Sequence, residues 1–172
     1  MKLKYISPVL VLFLVACGGI PKDALQFNID TLADRQLQTR KFDIKDEKAL
    51  ILAGAGVLQD MGYAIDESET KLGVVVGSKN RDATSGGQVA GAIVLALLGG
   101  GSTPIDKTQL IRASLITRTS DSGSILLRVT FQRTVWNTQN EITKIEAIKD
   151  SVIYKEFFEK LSKSAFLEAQ EI

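Results

Sequence analysis

Apolar and polar positions along the chain change period several times, and each change marks an element. Val9 to Ala16 is an unbroken apolar run. Arg40 to Ile44 alternates, with Phe42 and Ile44 set against Lys41 and Asp43, and predicts a first strand. Leu50, Ala53, Val57 and Met61 then recur at helical spacing, widened by Ile51 and Leu58. Asp46 suits the N-cap and Gly62 the C′ position, so the helix is predicted over about 47–61. Tyr63 and Ile65 open a second strand, Glu67 to Lys71 reads as a polar turn, and Leu72 to Ser78 as a third strand. Lys79 to Gly87 is polar and glycine-bearing, and reads as a loop.

Gln109 to Arg118 and Ile125 to Trp136 predict two long strands joined by a hairpin at Ser120-Asp121-Ser122-Gly123. In the second, Leu127, Val129, Phe131 and Val135 line one face, and Arg128, Thr130, Gln132 and Thr134 the other. After a turn at 137–140, Ile142 to Ile148 is a last strand. Asp150 or Ser151 caps a final helix running to about Ala169, with Ile153, Phe157, Leu161 and Ala165 as its buried stripe and Tyr154 and Phe158 beside it. The expected fold class is α+β: a two-layer sandwich, a mostly antiparallel β-sheet with two amphipathic helices packed on one face.

One segment fits neither period. Val89 to Leu98 is apolar on every side and framed by Gly86-Gly87 and Gly99-Gly100-Gly101, which makes 86–101 an apolar insert in the domain. Three readings are open for it. The run is a buried core helix, or it dips into a membrane, or it is the contact for a partner or a second copy through residues 87–100. On the last two, Val89, Ile93, Val94, Leu95, Leu97 and Leu98 carry the contact. Gly87-Gln88-Val89-Ala90-Gly91 is a G-x-x-x-G spacing that lets helices approach closely.

Lys2 and Lys4 precede the Val9–Ala16 run, which is far too short to span a bilayer needing about 20 apolar residues. A basic start, a short apolar core and small residues at its end have the order of a secretory signal. Leu14-Val15-Ala16-Cys17 resembles the lipobox of bacterial lipoproteins. That resemblance implies cleavage between Ala16 and Cys17, a diacylglycerol in thioether linkage on Cys17, and acylation of the new amine. Each buried methylene contributes about 0.8 kcal/mol, so several chains make a stable anchor. Gly18 stands where many such proteins carry an inner-membrane retention aspartate, and the resemblance therefore implies sorting to the outer membrane; the periplasmic side is the expected one, with the cell surface the open alternative. The expected organisation is 1–16 signal, 17–37 lipidated Cys17 and tether, and 38–172 a single periplasmic domain.

Composition narrows the chemistry. The 172 residues contain no histidine and one cysteine. Cys-His and Ser-His-Asp catalysis are therefore absent, as are internal disulfides and thiolate zinc sites. Lys+Arg is 21 against 20 Asp+Glu, without the basic excess of a nucleic-acid binder. No cofactor is expected beyond the covalent lipid. Ser68-Glu69-Thr70-Lys71 has the S-x-x-K spacing of penicillin-recognising enzymes but lacks their companion motifs, so no catalysis is expected. Gly54 and Gly56 interrupt the first helix, and close packing on the sheet is the expected reason. Asp60 opposes the dipole at that helix's end and calls for an offsetting partner. Arg112, Arg118, Arg128 and Arg133, with Lys144, form a basic stripe if they share the polar sheet face; Arg112, Arg128 and Arg133 are then the candidate binding face.

Asp34 to Arg40, Val57 to Gly62, Ser78 to Ala83, Arg128 to Arg133 with Val135 to Thr138, and Phe157 to Ser164 together resemble a family of small proteobacterial outer-membrane lipoproteins. The resemblance implies a lipobox signal followed by one α+β periplasmic domain. The expected function is that of a binding or accessory subunit of an envelope complex, with a protein partner. The alternative is an oligomeric membrane-active protein using the insert for bilayer contact or self-association.

Overall fold

The Asp46 carboxylate accepts a hydrogen bond from the Ala49 amide at 2.9 Å and so starts the helix that carries much of the core. In the computed structural model, which describes residues 29–98 and 103–168, this is the second helix. The elements in chain order are α1 (Ile29–Gln38), β1 (Thr39–Phe42), α2 (Glu47–Asp60), β2 (Ala64–Glu69), β3 (Val74–Asp82), α3 (Gly86–Leu97), β4 (Asp106–Thr119), β5 (Ile125–Asn137), β6 (Ile142–Ala147) and α4 (Ser151–Glu168). The chain divides into two units between Leu32 and Ala33. Of the first, residues 29–32 are described and are helical. The second carries everything that follows.

Six strands form one antiparallel sheet in the order β1-β5-β4-β3-β2, with β6 also paired to β5. β1 takes residues 125–128 of β5 and β6 takes 132–136, so two short strands share one edge. The Glu67–Lys71 stretch, expected as a turn, is strand as far as Glu69; the turn proper is Thr70 to Gly73. β2 is an edge strand whose outward carboxylates meet water, so its polarity costs nothing. Likewise β3 runs on to Asp82 through residues expected as loop, because each of Lys79 to Asp82 pairs with β4. A paired neighbour overrides local composition here.

The predicted core is present. Leu50, Ile51, Ala53, Val57 and Leu58 of α2 and Tyr154, Phe157, Phe158, Leu161 and Ala165 of α4 are buried against Leu115, Leu127, Val129 and Phe131 of the sheet. This is the two-layer α+β sandwich expected from the pattern. α2 ends in a Schellman arrangement: Tyr63 N–H reaches the Leu58 carbonyl, Gly62 N–H the Gln59 carbonyl, and Gly62 takes φ +83°. Gly54 has the packing role expected of it, for a Cβ there would lie 2.9 Å from Leu115 Cδ1. Gly56 faces open space. Gly54→Val is therefore expected to destabilise by about 1–3 kcal/mol through overpacking. Gly56→Ala gains up to about 1 kcal/mol of helix propensity. Urea unfolding of the two variants separates the roles, and equal shifts would remove the distinction.

Three expectations change. Within the stretch assigned to the tether, Asp30 to Gln38 reads as a short helical turn of weak pattern, and the structure forms a full helix over 29–38; residues 17–28 lie outside the described ones. The apolar pattern of α1 is weak because the chain downstream holds it: Asp34 pairs with Lys149 at 2.7 Å, and Gln38 is buried beside β5. The core-helix reading of the insert does not hold: α3 forms, but none of its residues is buried. Asp60 is exposed and makes no ion pair among the described residues. The cation at that helix end is Lys79, whose ammonium donates to the Met61 carbonyl.

Candidate functional site

α3 is the most exposed apolar feature of the described chain. Ser85 stands at its N-cap without a side-chain bond, and Gly86 and Gly87 leave its first turn bare. What ties it down is Gln88. Its amide donates to Asp106 Oδ2 at 2.9 Å and its oxygen accepts from the Asp106 amide at 3.2 Å. Asp106 also accepts from Thr143 at 2.7 Å. These bonds, the Gln88 one first, hold the Asp106 carboxyl below its ordinary pKa and leave an ionised post at the foot of the helix.

From that foot the exposure rises. Val89 and Ala92 are half-buried, while Ile93 and Val94 are 55 % exposed and Leu97 and Leu98 are 81 % exposed. At 100° per residue, Ile93, Leu97, Val94 and Leu95 span an arc of about 200°. No residue between Asp82 and Asp106 is charged.

Next to the foot of α3 the sandwich has an open end. On the helix-covered side of the sheet, Lys79, Ile111, Arg133 and Glu146 stand in one register row across β3, β4, β5 and β6. Arg81, Gln109, Val135 and Lys144 form the next row out. α2 ends and α4 begins above these rows, which leaves a cleft of about 230 Å³ lined by Tyr63, Lys79, Arg81, Ile111, Ile153 and Glu156 among others. Lys79 Nζ sits 5.6 Å from the centre of the Tyr63 ring, a cation–π contact. Burial pushes the Tyr63 phenol up and Arg81 partly opposes it. Arg133 bonds Glu146, and that bond chiefly holds the Glu146 carboxyl below its ordinary pKa. Arg133 Nε is buried without a partner. Around the corner, Asn80, Arg81, Asp82, Thr84, Lys107 and Thr108 line a second, shallower hollow of about 620 Å³ directly before α3. Neither Arg81 nor Lys107 forms an ion pair among the described residues.

The basic stripe is split. Arg112 and Arg118 are exposed on the uncovered face, Arg112 in register with Ser78 and Gln132. Arg128 is on that face but engaged: its Nε and Nη2 donate to Gln38 Oε1 at 3.1 and 2.7 Å. Arg133 and Lys144 lie on the opposite face, in line with Phe131 and Val135. The reason is strand parity, since positions five apart in one strand point opposite ways. Arg112, Arg128 and Arg133 therefore do not form one surface. The uncovered face is also less polar than the alternation predicted, with Ile116 exposed and Val74, Val76, Leu110 and Trp136 half-buried on it.

Ser68 lies on the edge strand and Lys71 in the exposed turn after it. Val89, expected among the contact residues, faces the domain more than its neighbours do; Ile93, Val94, Leu95, Leu97 and Leu98 are presented outward. Ala16 and Cys17 lie outside the described residues. Among the described residues no helix is long and apolar enough to cross a membrane. The chain matches no family model and no curated protein.

Proposed function

We propose that the chain is a lipoprotein of the outer membrane, held on the periplasmic side by acyl groups on Cys17, and that its domain is a non-catalytic binding module of an envelope assembly. The observation that carries the binding role is α3. A helix with no buried residue contributes little to the fold, and a surface of that apolarity persists in water only if something covers it. The Leu14–Cys17 lipobox resemblance and the basic start before it support the anchor. The open end of the sandwich, with Lys79 and Arg81, supplies a polar surface beside the apolar one.

The test reads the N-terminus of the protein made in its own membrane. Intact mass should show a chain beginning at Cys17 and carrying diacylglyceryl and N-acyl groups, and globomycin should make the uncleaved precursor accumulate. A free thiol at Cys17, or processing that ignores globomycin, ends the lipoprotein reading. A Gly18→Asp variant is expected to move from outer-membrane to inner-membrane fractions.

A second reading is a membrane-active oligomer. It is favoured by Gly87 and Gly91, which lie together on the exposed arc of α3, where a neighbouring helix can approach. It predicts detergent-resistant oligomers that vanish when residues 87–100 are deleted.

A further inference from the structure

We infer that α3 is where two copies of this chain meet: the helices pair antiparallel about a two-fold axis, the glycine end of each receiving the leucine end of the other. The inference rests on reading α3 as a contact surface, and it names what covers that surface.

The spacing supplies a seam. Gly87, Gly91, Val94 and Leu98 follow one another at intervals of four, three and four residues, the a/d spacing of paired helices. At 100° per residue they fall within an arc of about 60°. That arc lies on the side of α3 away from the half-buried Val89 and Ala92. All four positions are exposed, Val94 at 55 % and Leu98 at 81 %. The seam is graded in size, small over its first half and large over its second. Neither glycine makes room for its own domain: a Cβ at 91 would meet nothing within 4 Å, and one at 87 only Ser85 Oγ at 3.8 Å. Glycine weakens a helix interior, and what it offers in return is close approach by another backbone.

Complementarity names the second copy. In a two-fold interface residue i meets j and j meets i. Run antiparallel, the seam sets 87 against 98 and 91 against 94, so each large side chain enters the gap over a glycine. Run parallel, it sets leucine on leucine and glycine on glycine, which props the helices apart at one end and leaves a void at the other. A seam that fits its own reverse is completed by the same chain. No residue between Asp82 and Asp106 is charged, so identical helices do not repel. Ile93 and Leu97 on one flank and Leu95 on the other close over the partner. Burying one large apolar side chain removes about 100 Å² from water. The five large side chains of α3 therefore give about 500 Å² per copy and about 1,000 Å² for the pair, where specific interfaces begin. A contact of that size is weak between freely diffusing molecules. On the lipoprotein reading, acyl groups on Cys17 hold both copies on one membrane, and the raised effective concentration fills it.

The geometry is read by disulfide coupling. In the antiparallel pair the two copies of residue 94 are offset by about 4.5 Å along the axis, and the two copies of residue 98 by about 16.5 Å. A disulfide reaches across the first offset and not across the second. The test uses the full-length acylated protein in vesicles of phosphatidylethanolamine and phosphatidylglycerol, with copper phenanthroline as oxidant. With Cys17 acylated, the introduced cysteine is the thiol that couples. Val94→Cys should give a disulfide-linked dimer. Leu98→Cys should couple no faster than Ser122→Cys in the exposed β4–β5 turn, which sets the collision background. A mixture of Gly87→Cys and Leu98→Cys should give the mixed disulfide. Gly91→Val fills the gap that the partner's seam enters and should slow the coupling of Val94→Cys about tenfold. Its unfolding midpoint should not fall, because position 91 faces open space in its own chain.

Leu98→Cys coupling to itself as fast as Val94→Cys overturns the antiparallel pair. Val94→Cys coupling no faster than Ser122→Cys overturns the pair altogether, and the binding reading of α3 then stands with a different partner. An unchanged rate in the Gly91→Val background overturns the fit of the seam. If the mass shows no acyl group on Cys17, the lipoprotein reading fails on its own. The same couplings, run on the Cys17→Ser chain in solution at high protein concentration, still decide the pair.

Discussion

Phe131→Ala should remove about 3–5 kcal/mol of stability, the largest loss expected from any single truncation of this sheet. The ring is 1 % exposed and is the hub of the aromatic cluster. Its centroid lies 6.1 Å from Tyr63, 5.3 Å from Tyr154 and 6.2 Å from Phe157, the last two edge-on. It therefore joins the end of α2 to the first two turns of α4, and edge-to-face geometry adds to area burial. The gap cannot close easily, because Phe131 also holds backbone: its carbonyl accepts from the Ile148 amide at 2.9 Å as the chain leaves β6 for α4. Equilibrium unfolding in urea should show the midpoint falling with the slope unchanged. A loss below about 1.5 kcal/mol would mean that the helices are held elsewhere.

Gly73→Ala should cost about 2–5 kcal/mol although it adds one methyl group. Gly73 takes φ +64°, where a Cβ costs about 1–2 kcal/mol. The new carbon would also lie 2.1 Å from Thr117 Oγ1 and 3.0 Å from Glu47 Oε1. Thr117 cannot withdraw freely: it is 6 % exposed, its amide donates to the Gly73 carbonyl at 2.8 Å, and its hydroxyl donates to the same oxygen at 3.2 Å. Overpacking of this kind adds about 1–3 kcal/mol. Gly123→Ala is the control. It takes φ +78° but meets nothing within 4 Å, so it should cost the backbone term alone. Similar losses at 73 and 123 would show that the turn gives way and the clash is not felt.

Much of this fold was readable from period alone. The 3.6-residue spacing of Leu50, Ala53 and Val57 and of Phe157, Leu161 and Ala165 marks helices that pack on a sheet, and the two-residue spacing from Leu127 to Val135 marks that sheet. Local pattern and structure part where a neighbour, rather than the residue itself, decides. Lys79 to Asp82 has loop composition, yet β4 supplies a partner for each position. Lys79 and Arg81 therefore become the rim of the open end, which no local pattern announces. The signal that was available is their alternation with Asn80 and Asp82. Charge alone groups Arg133 with Arg128, whereas strand parity places it on the face of Phe131 and Val135. The apolar insert was legible as an anomaly; its exposure was not, because periodicity describes the helix and not what surrounds it.

The two edges of the sheet bear on how this domain meets others. β2 presents Glu67 and Glu69 on a strand broken by a bulge between Ile65 and Glu67. The far edge is divided between four-residue β1 and six-residue β6, with buried Gln38 where β1 begins. Among the described residues neither edge offers a long unbroken run of free backbone amides and carbonyls. Strand donation by another chain therefore finds no template, and neither does the growth of a cross-β stack. The described edges therefore favour recognition through side chains over growth of one sheet onto another.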